Sequence, residues 1–229
     1  MKKQKTLGIV FAMILVLIIS AMAALAFFGI FSEKPEEGET ILIQEEKFKN
    51  KNLEWQVKET EGDKILTLST KQGEIVIKLF DCAATEKFIE LNNSGAFDSA
   101  EFTVIAEGFI QTGVYGESFA AEKTDLAAIN GAFGFVMDEK NSAPSLIIIT
   151  ADELSGMSSA LLGKNGFDEE RVSIYKNFGG FPEYENAVNV FGMVIDSDAL
   201  SKIAKAENSG YTGGFSAAEP VAINSITIE

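Results

Sequence analysis

The chain has 229 residues, 19 Lys and Arg against 34 Asp and Glu, a formal net charge of −15, one Cys and no His. The missing His excludes a Ser-His-Asp triad, a Cys-His pair and any His-ligated zinc or iron, and the lone Cys82 excludes an intramolecular disulfide or a thiolate cluster. The acidic balance argues against nucleic acid, whose affinity comes from Lys and Arg neutralising phosphates, and no metal or cofactor is expected.

Residues 1–5 form a basic stub carrying Lys2, Lys3 and Lys5. Residues 6–32 carry no charge and are mostly aliphatic. As a helix they would rise roughly 40 Å, more than the roughly 30 Å of a bilayer's hydrocarbon core. A transmembrane signal-anchor is therefore expected, with Met1 in the cytoplasm by the positive-inside rule and the rest of the chain extracytoplasmic. The rival is a cleaved signal peptide, which would secrete the domain. Its apolar region is normally ~7–15 residues, and here the run continues through Phe27, Phe28, Ile30 and Phe31. Residues 33–51 read as an acidic linker, and 52–229 as one domain. Residues 33–229 hold 16 basic and 34 acidic side chains, a balance of −18.

Within the domain, strand signals come first. Ile65–Thr70 and Glu74–Phe80 are β-rich runs separated by Lys71-Gln72-Gly73, a hairpin pattern. Asp81 can cap a helix running through Thr85, Phe88, Ile89 and Leu91, with Gly95 as its stop. Short apolar runs follow at Phe102–Ile105, Phe109–Gln111, Ala132–Met137, Ser145–Thr150, Val188–Ile195 and Val221–Ile228. A second helix fits Asp196–Glu207, with Leu200, Ile203 and Ala204 on one face. Many short strands and two separated helices point to a mainly-β fold, a closed antiparallel barrel with two capping helices. Residues 151–178 break the rhythm and read as an insertion with one short helix.

General site patterns give little. Gly179-Gly180 and Gly213-Gly214 lack the Lys of a phosphate loop. Asp168, Glu169 and Glu170 lack the alternate spacing of a calcium loop and read as a solvated helix face. Cys82 has no basic neighbour in sequence to activate it and reads as a small buried residue.

Residue order says more. Gly73-Glu-Ile-Val-Ile-Lys-Leu-Phe80, Phe88-Ile-Glu-Leu91, Ser94-Gly95 and Phe97-Asp98 lead into Phe102-Thr-Val-Ile105 and Ile110-Gln-Thr-Gly113. Asn141-Ser-Ala-Pro-Ser145 with Ile147-Ile-Ile149, Gly179-Gly-Phe-Pro182, Val190-Phe-Gly192 and Asn224–Glu229 complete the series. From about Leu66 to Glu229 this order resembles the cyclophilin-type peptidyl-prolyl cis-trans isomerases. The resemblance implies a cyclophilin-like barrel that binds proline-containing polypeptides and assists protein folding. It also implies a groove built here from Phe102, Phe109, Val136, Met137, Leu146 and Ile148, with Thr103 and Gln111 as the polar site residues.

The chemistry suits a chain without His. Prolyl isomerisation twists an amide whose rotation barrier is ~18–20 kcal/mol, and no proton changes place. What helps is a donor aimed at the prolyl nitrogen, which the family supplies as the Arg of Phe-His-Arg-Val-Ile. This chain reads Phe102-Thr103-Val104-Ile105, one residue shorter and without Arg. Thr103 takes the place of either the His or the Arg. The family's pocket Phe falls on Gly108, unless Phe109 takes its place, and a groove aromatic or His falls on Glu183. The only Arg in the chain, Arg171, lies in the insertion. Three expectations follow: a weak isomerase acting on exported proteins, a non-catalytic peptide-binding or scaffold module at the cell surface, or an enzyme in which Arg171 reaches the groove.

Overall fold

Alternating burial sets the first hairpin. In β1 (Lys64–Thr70) Leu66 and Leu68 are buried while their neighbours are partly exposed, and β2 (Gly73–Leu79) buries Ile75, Ile77 and Leu79. Thr70 pairs with Gly73, leaving Lys71-Gln72 as a two-residue turn. Thr70 Oγ1 closes it, donating to the Gly73 carbonyl and accepting from the Gln72 N–H. Gly73 sits at φ +130°, and a Cβ there would stand 2.2 Å from Asp198 Oδ1, the atom that accepts from the Glu74 N–H.

The computed structural model describes residues 56–58, 62–120, 123–138, 141–164, 167–205 and 216–229. The expected stub, anchor and linker lie outside the described residues. Among the described residues no helix is long and apolar enough to cross a membrane.

Helix α1 (Ala83–Asn93) starts one position later than a cap at Asp81 implies. Cys82 holds the capping position with extended backbone, and Thr85 Oγ1 donates to the Phe80 carbonyl at 2.6 Å. Gly95, at φ +78°, follows the helix as expected. The remaining strands are β3 (Glu101–Ala106), β4 (Phe109–Thr112), β5 (Phe119–Ala120), β6 (Ala132–Asp138), β7 (Asn141–Ile149), β8 (Val188–Ser197) and β9 (Ser216–Ile228). All pairs are antiparallel. The order β4-β3-β9-β1-β2-β8-β6-β7 is closed by pairing of β7 with β4, giving an eight-stranded barrel. The short β5, unmarked in the sequence, adds to β7 at its first residues.

Residues directly opposite in an antiparallel ladder share a face. One row of such partners, Leu79, Gly192, Phe133, Ile148, Ile110 and Ile105, therefore lines the barrel interior. Gly192 belongs there because a Cβ would press on Ile77 at 2.9 Å and Phe133 at 3.1 Å. Phe88 of α1 joins this core, with ring centroids 5.7 Å from Phe133 and 5.6 Å from Phe191. Phe133 and Phe191 are 4.9 Å apart, edge to face.

The insertion contains two helices rather than one, α2 (Gly156–Lys164) and α3 (Glu169–Phe178). Asp168 caps α3 by accepting from the Arg171 N–H, Glu169 and Glu170 follow in the first turn, and Lys176 stands in the last. The acidic run is thus a helix start. Helix α4 (Leu200–Ala204) buries Ile203 and packs against β3 and β4. It starts later than Asp196 because Asp196 and Ser197 finish β8, and Ser197 Oγ accepts from the Leu200 N–H. Residues 206–207 lie outside the described residues.

Candidate functional site: the outer face of three strands

The parity that turns Ile110 inward turns its neighbours on β4, Phe109 and Gln111, outward. Gln111 is directly opposite Val104 on β3 and Ile147 on β7, while Phe109 is opposite Ala106 and Ile149. Gln111 Nε2 donates to Ser145 Oγ at 3.2 Å, which places Ser145 on the same face. Ser145 Oγ in turn donates to the Thr112 carbonyl at 2.9 Å, fixing the hydroxyl. The outer face thus carries one amide and one hydroxyl among hydrocarbon. That set can hold an apolar ring and offer a neutral donor; it cannot transfer a proton or present a cation.

Register separates the expected site residues. Gln111 and Phe109 come together on this face. Leu146 and Ile148 do not: Ile148 belongs to the interior row, Leu146 pairs with interior Phe135, and Ser145 and Ile147 take the outward places. Phe102 is fully buried opposite Thr112, two residues along β4 from Ile110, and is likewise part of the core. Thr103 falls where the β3 register shifts against both β4 and β9, so it has no direct partner on either strand. Val104, not Thr103, faces Gln111. Val136 and Met137 lie buried at a register shift of β6, with β7 between them and Gln111.

The face is covered. Phe109 is 9% exposed, Gln111 8%, Ile147 4% and Ile149 0%. Over Gly108 and Phe109 the cover is the turn after Gly179-Gly180, a single 3-10 turn at Pro182–Tyr184. Gly108, at φ +89°, leaves the gap: a Cβ there would stand 2.3 Å from Phe181 Cζ. Tyr184 meets Phe109 edge-on at 6.0 Å and Phe181 at 4.8 Å. Burial, with Glu183 beside it, pushes the Tyr184 phenol up to about 12. Helix α2 packs on the turn, and its buried Ser158 donates to Glu183 Oε1 at 3.0 Å.

Arg171 is engaged elsewhere. Its Nη1 donates to Glu185 Oε2 at 2.5 Å, and Nη2 to Asp125 Oδ1 at 2.6 Å and the Asp125 carbonyl at 2.9 Å. Tyr175 completes the cluster, donating to Glu185 Oε1 and accepting from the Ala128 N–H. Burial pushes the Glu185 carboxyl above its ordinary range even though Arg171 pulls the other way. This network ties α3 to the barrel wall, and its guanidinium is committed to two carboxylates rather than to Gln111.

Val104, Ser145, Ile147, Phe181 and Tyr184 are not among the site residues expected from the sequence. The first three follow from strict alternation once Gln111 is set outward. Phe181 could be found only through the glycine it complements, and Tyr184 only through the rings of Phe109 and Phe181.

Comparison with solved structures decides the fold. A cyclophilin-type peptidyl-prolyl cis-trans isomerase from Cryptosporidium parvum superposes with a TM-score of 0.53 at 15% identity, over 73% of this chain and 98% of that one. The same enzyme crystallised in the presence of the dipeptide Ala-Pro gives 0.52 at 15% identity, over 72% and 98%. This chain has a cyclophilin-like fold. No protein-family model matches it, and neither does any curated protein sequence. The cyclophilin-like barrel accounts for the order of sequence fragments from Leu66 onward, and the insertion is carried on its outer wall.

Proposed function

We propose that this protein is a peptidyl-prolyl isomerase-type folding factor of low turnover, acting on proline-containing segments of exported proteins. An N-terminal anchor over residues 6–32 would hold it at the membrane with the barrel outside the cytoplasm. The observation that carries the low turnover is the pairing of Gln111 with Val104, together with the engagement of Arg171 by Asp125 and Glu185. Among the described residues, the surface that would receive a prolyl ring keeps an amide, a hydroxyl and apolar walls but no cationic donor. Losing one preorganised donor to a developing charge lowers rates by about 10²–10³.

A protease-coupled assay with a proline tetrapeptide and the full-length chain tests the reading. A small, saturable acceleration is expected, and a rate equal to the uncatalysed background would remove the enzyme reading. A second reading, a non-catalytic peptide-binding or scaffold module, is favoured by the burial of Gln111. It predicts peptide-induced NMR shifts at Gln111 with no rate change.

A further inference from the structure

We infer that the turn Phe181–Tyr184 and helix α2 form an intramolecular lid that occupies the outer face of β3, β4 and β7 and must lift before a proline peptide can reach Gln111. The inference rests on the proposed peptide-binding reading of that face. Three observations carry it.

The lid fills a shaped gap. Phe181 lies where a side chain at Gly108 would be, and Tyr184 meets Phe109 edge-on, so aromatic rings of the chain itself occupy the strand end that leads to Gln111. Two hydrogen bonds tie residues 181–184 themselves to other described elements, while the next residue, Glu185, is the fixed end of the turn, held by Arg171 and Tyr175. The Phe181 N–H donates to the Ala128 carbonyl at 3.0 Å, and Ser158 supplies a hydroxyl to Glu183 Oε1. Glu183 Oε2 is buried without a hydrogen-bond partner, a cost that lifting would relieve by returning it to water.

The helix that backs the turn is weakly built. Its nine residues include Gly156, Ser158, Ser159 and Gly163, it is shorter than an isolated helix needs, and it leaves Met157 48% exposed. Ser155 Oγ accepts the Ser158 N–H and contacts Ser158 Oγ at 2.9 Å, so the residue that reaches Glu183 is itself held by the serine at the helix start. Segments with few buried contacts open at lower free energy than the core. Two-state closure multiplies the apparent dissociation constant by the inverse of the open fraction.

The test uses the full-length chain labelled at isoleucine δ1 methyls, titrated with the tetrapeptide Ala-Ala-Pro-Phe. Phe181→Ala removes the ring over Gly108. It is expected to tighten binding tenfold or more, with shifts concentrated at Ile147 and Ile149. Ser158→Ala leaves the aromatic packing in place and removes the tie to Glu183 together with the Ser155 contact, so a smaller gain, about 2- to 10-fold, is expected. Equal affinity in wild type and both variants, with shifts at Ile147, would overturn the lid and leave the peptide-binding reading standing. No binding by any of the three would overturn both.

Discussion

The two faces of the same strands differ in how firmly they are built. Inside the barrel, Phe133, Ile148, Ile110 and Ile105 oppose one another in a continuous row, and Phe88, Phe133 and Phe191 interlock above it. Outside, one residue along each strand, Gln111 and Ile147 are nearly as hidden and Val104 is half-buried, and the cover over neighbouring Phe109 is a short turn backed by a nine-residue helix. The interior is closed by the ladder itself, whereas the exterior is closed by an appendage.

The comparison can be broken at several strengths. Phe88→Ala removes the ring shared by Phe133, Phe135, Phe191 and Phe97. It is expected to cost about 3–5 kcal/mol in chemical denaturation. Ile148→Ala should cost about 2–5 kcal/mol, and Ile147→Ala, one residue away, distinctly less because the lid can settle into the space. Equal losses at the two isoleucines would erase the distinction between the faces.

Alkaline titration sharpens it further. The Tyr184 phenol, raised to about 12 by burial, favours the fold fully below its ordinary value near 10. That contribution is lost as pH climbs from about 10 to about 12, by at most about 2 kcal/mol after allowing for partial exposure. Burial holds Tyr175 and Tyr115 above the ordinary phenol range as well, so absorbance at the phenolate band should show several late-titrating tyrosines, of which only the Tyr184 step moves toward 10 in Phe181→Ala. The smallest effects are on turnover. Thr103→Arg should change the rate less than about threefold, because Thr103 sits at a register shift and does not face Gln111. Arg171→Lys should leave turnover per folded molecule unchanged, since the guanidinium serves Glu185 and Asp125.

The barrel was legible because its strands announce themselves. Leu66 and Leu68 alternate with Thr67 and Ser69, and Gly73, Gly95 and the two-residue turn punctuate the runs at the right places. The site was less legible because function there depends on parity. The run Leu146-Ile147-Ile148-Ile149 is apolar throughout, so nothing in it tells inside from outside. Pairing with Gln111 settles the matter by pointing Ile147 outward and Ile148 inward. The lid was illegible for a different reason. Phe181 and Gly108 are 73 positions apart, and only folding brings the ring to the vacant Cβ site. The insertion's acidic start, in contrast, carried its own signal: Asp168 ahead of Glu169 and Glu170 is a helix cap.

One measurement bears on the whole account: a crystal structure of the full-length chain with the dipeptide Ala-Pro. The account predicts the prolyl ring against Phe109 and Ile147 beside Gln111, with the Phe181–Tyr184 turn displaced from Gly108. A dipeptide bound elsewhere while Phe181 stays seated over Gly108 would contradict it.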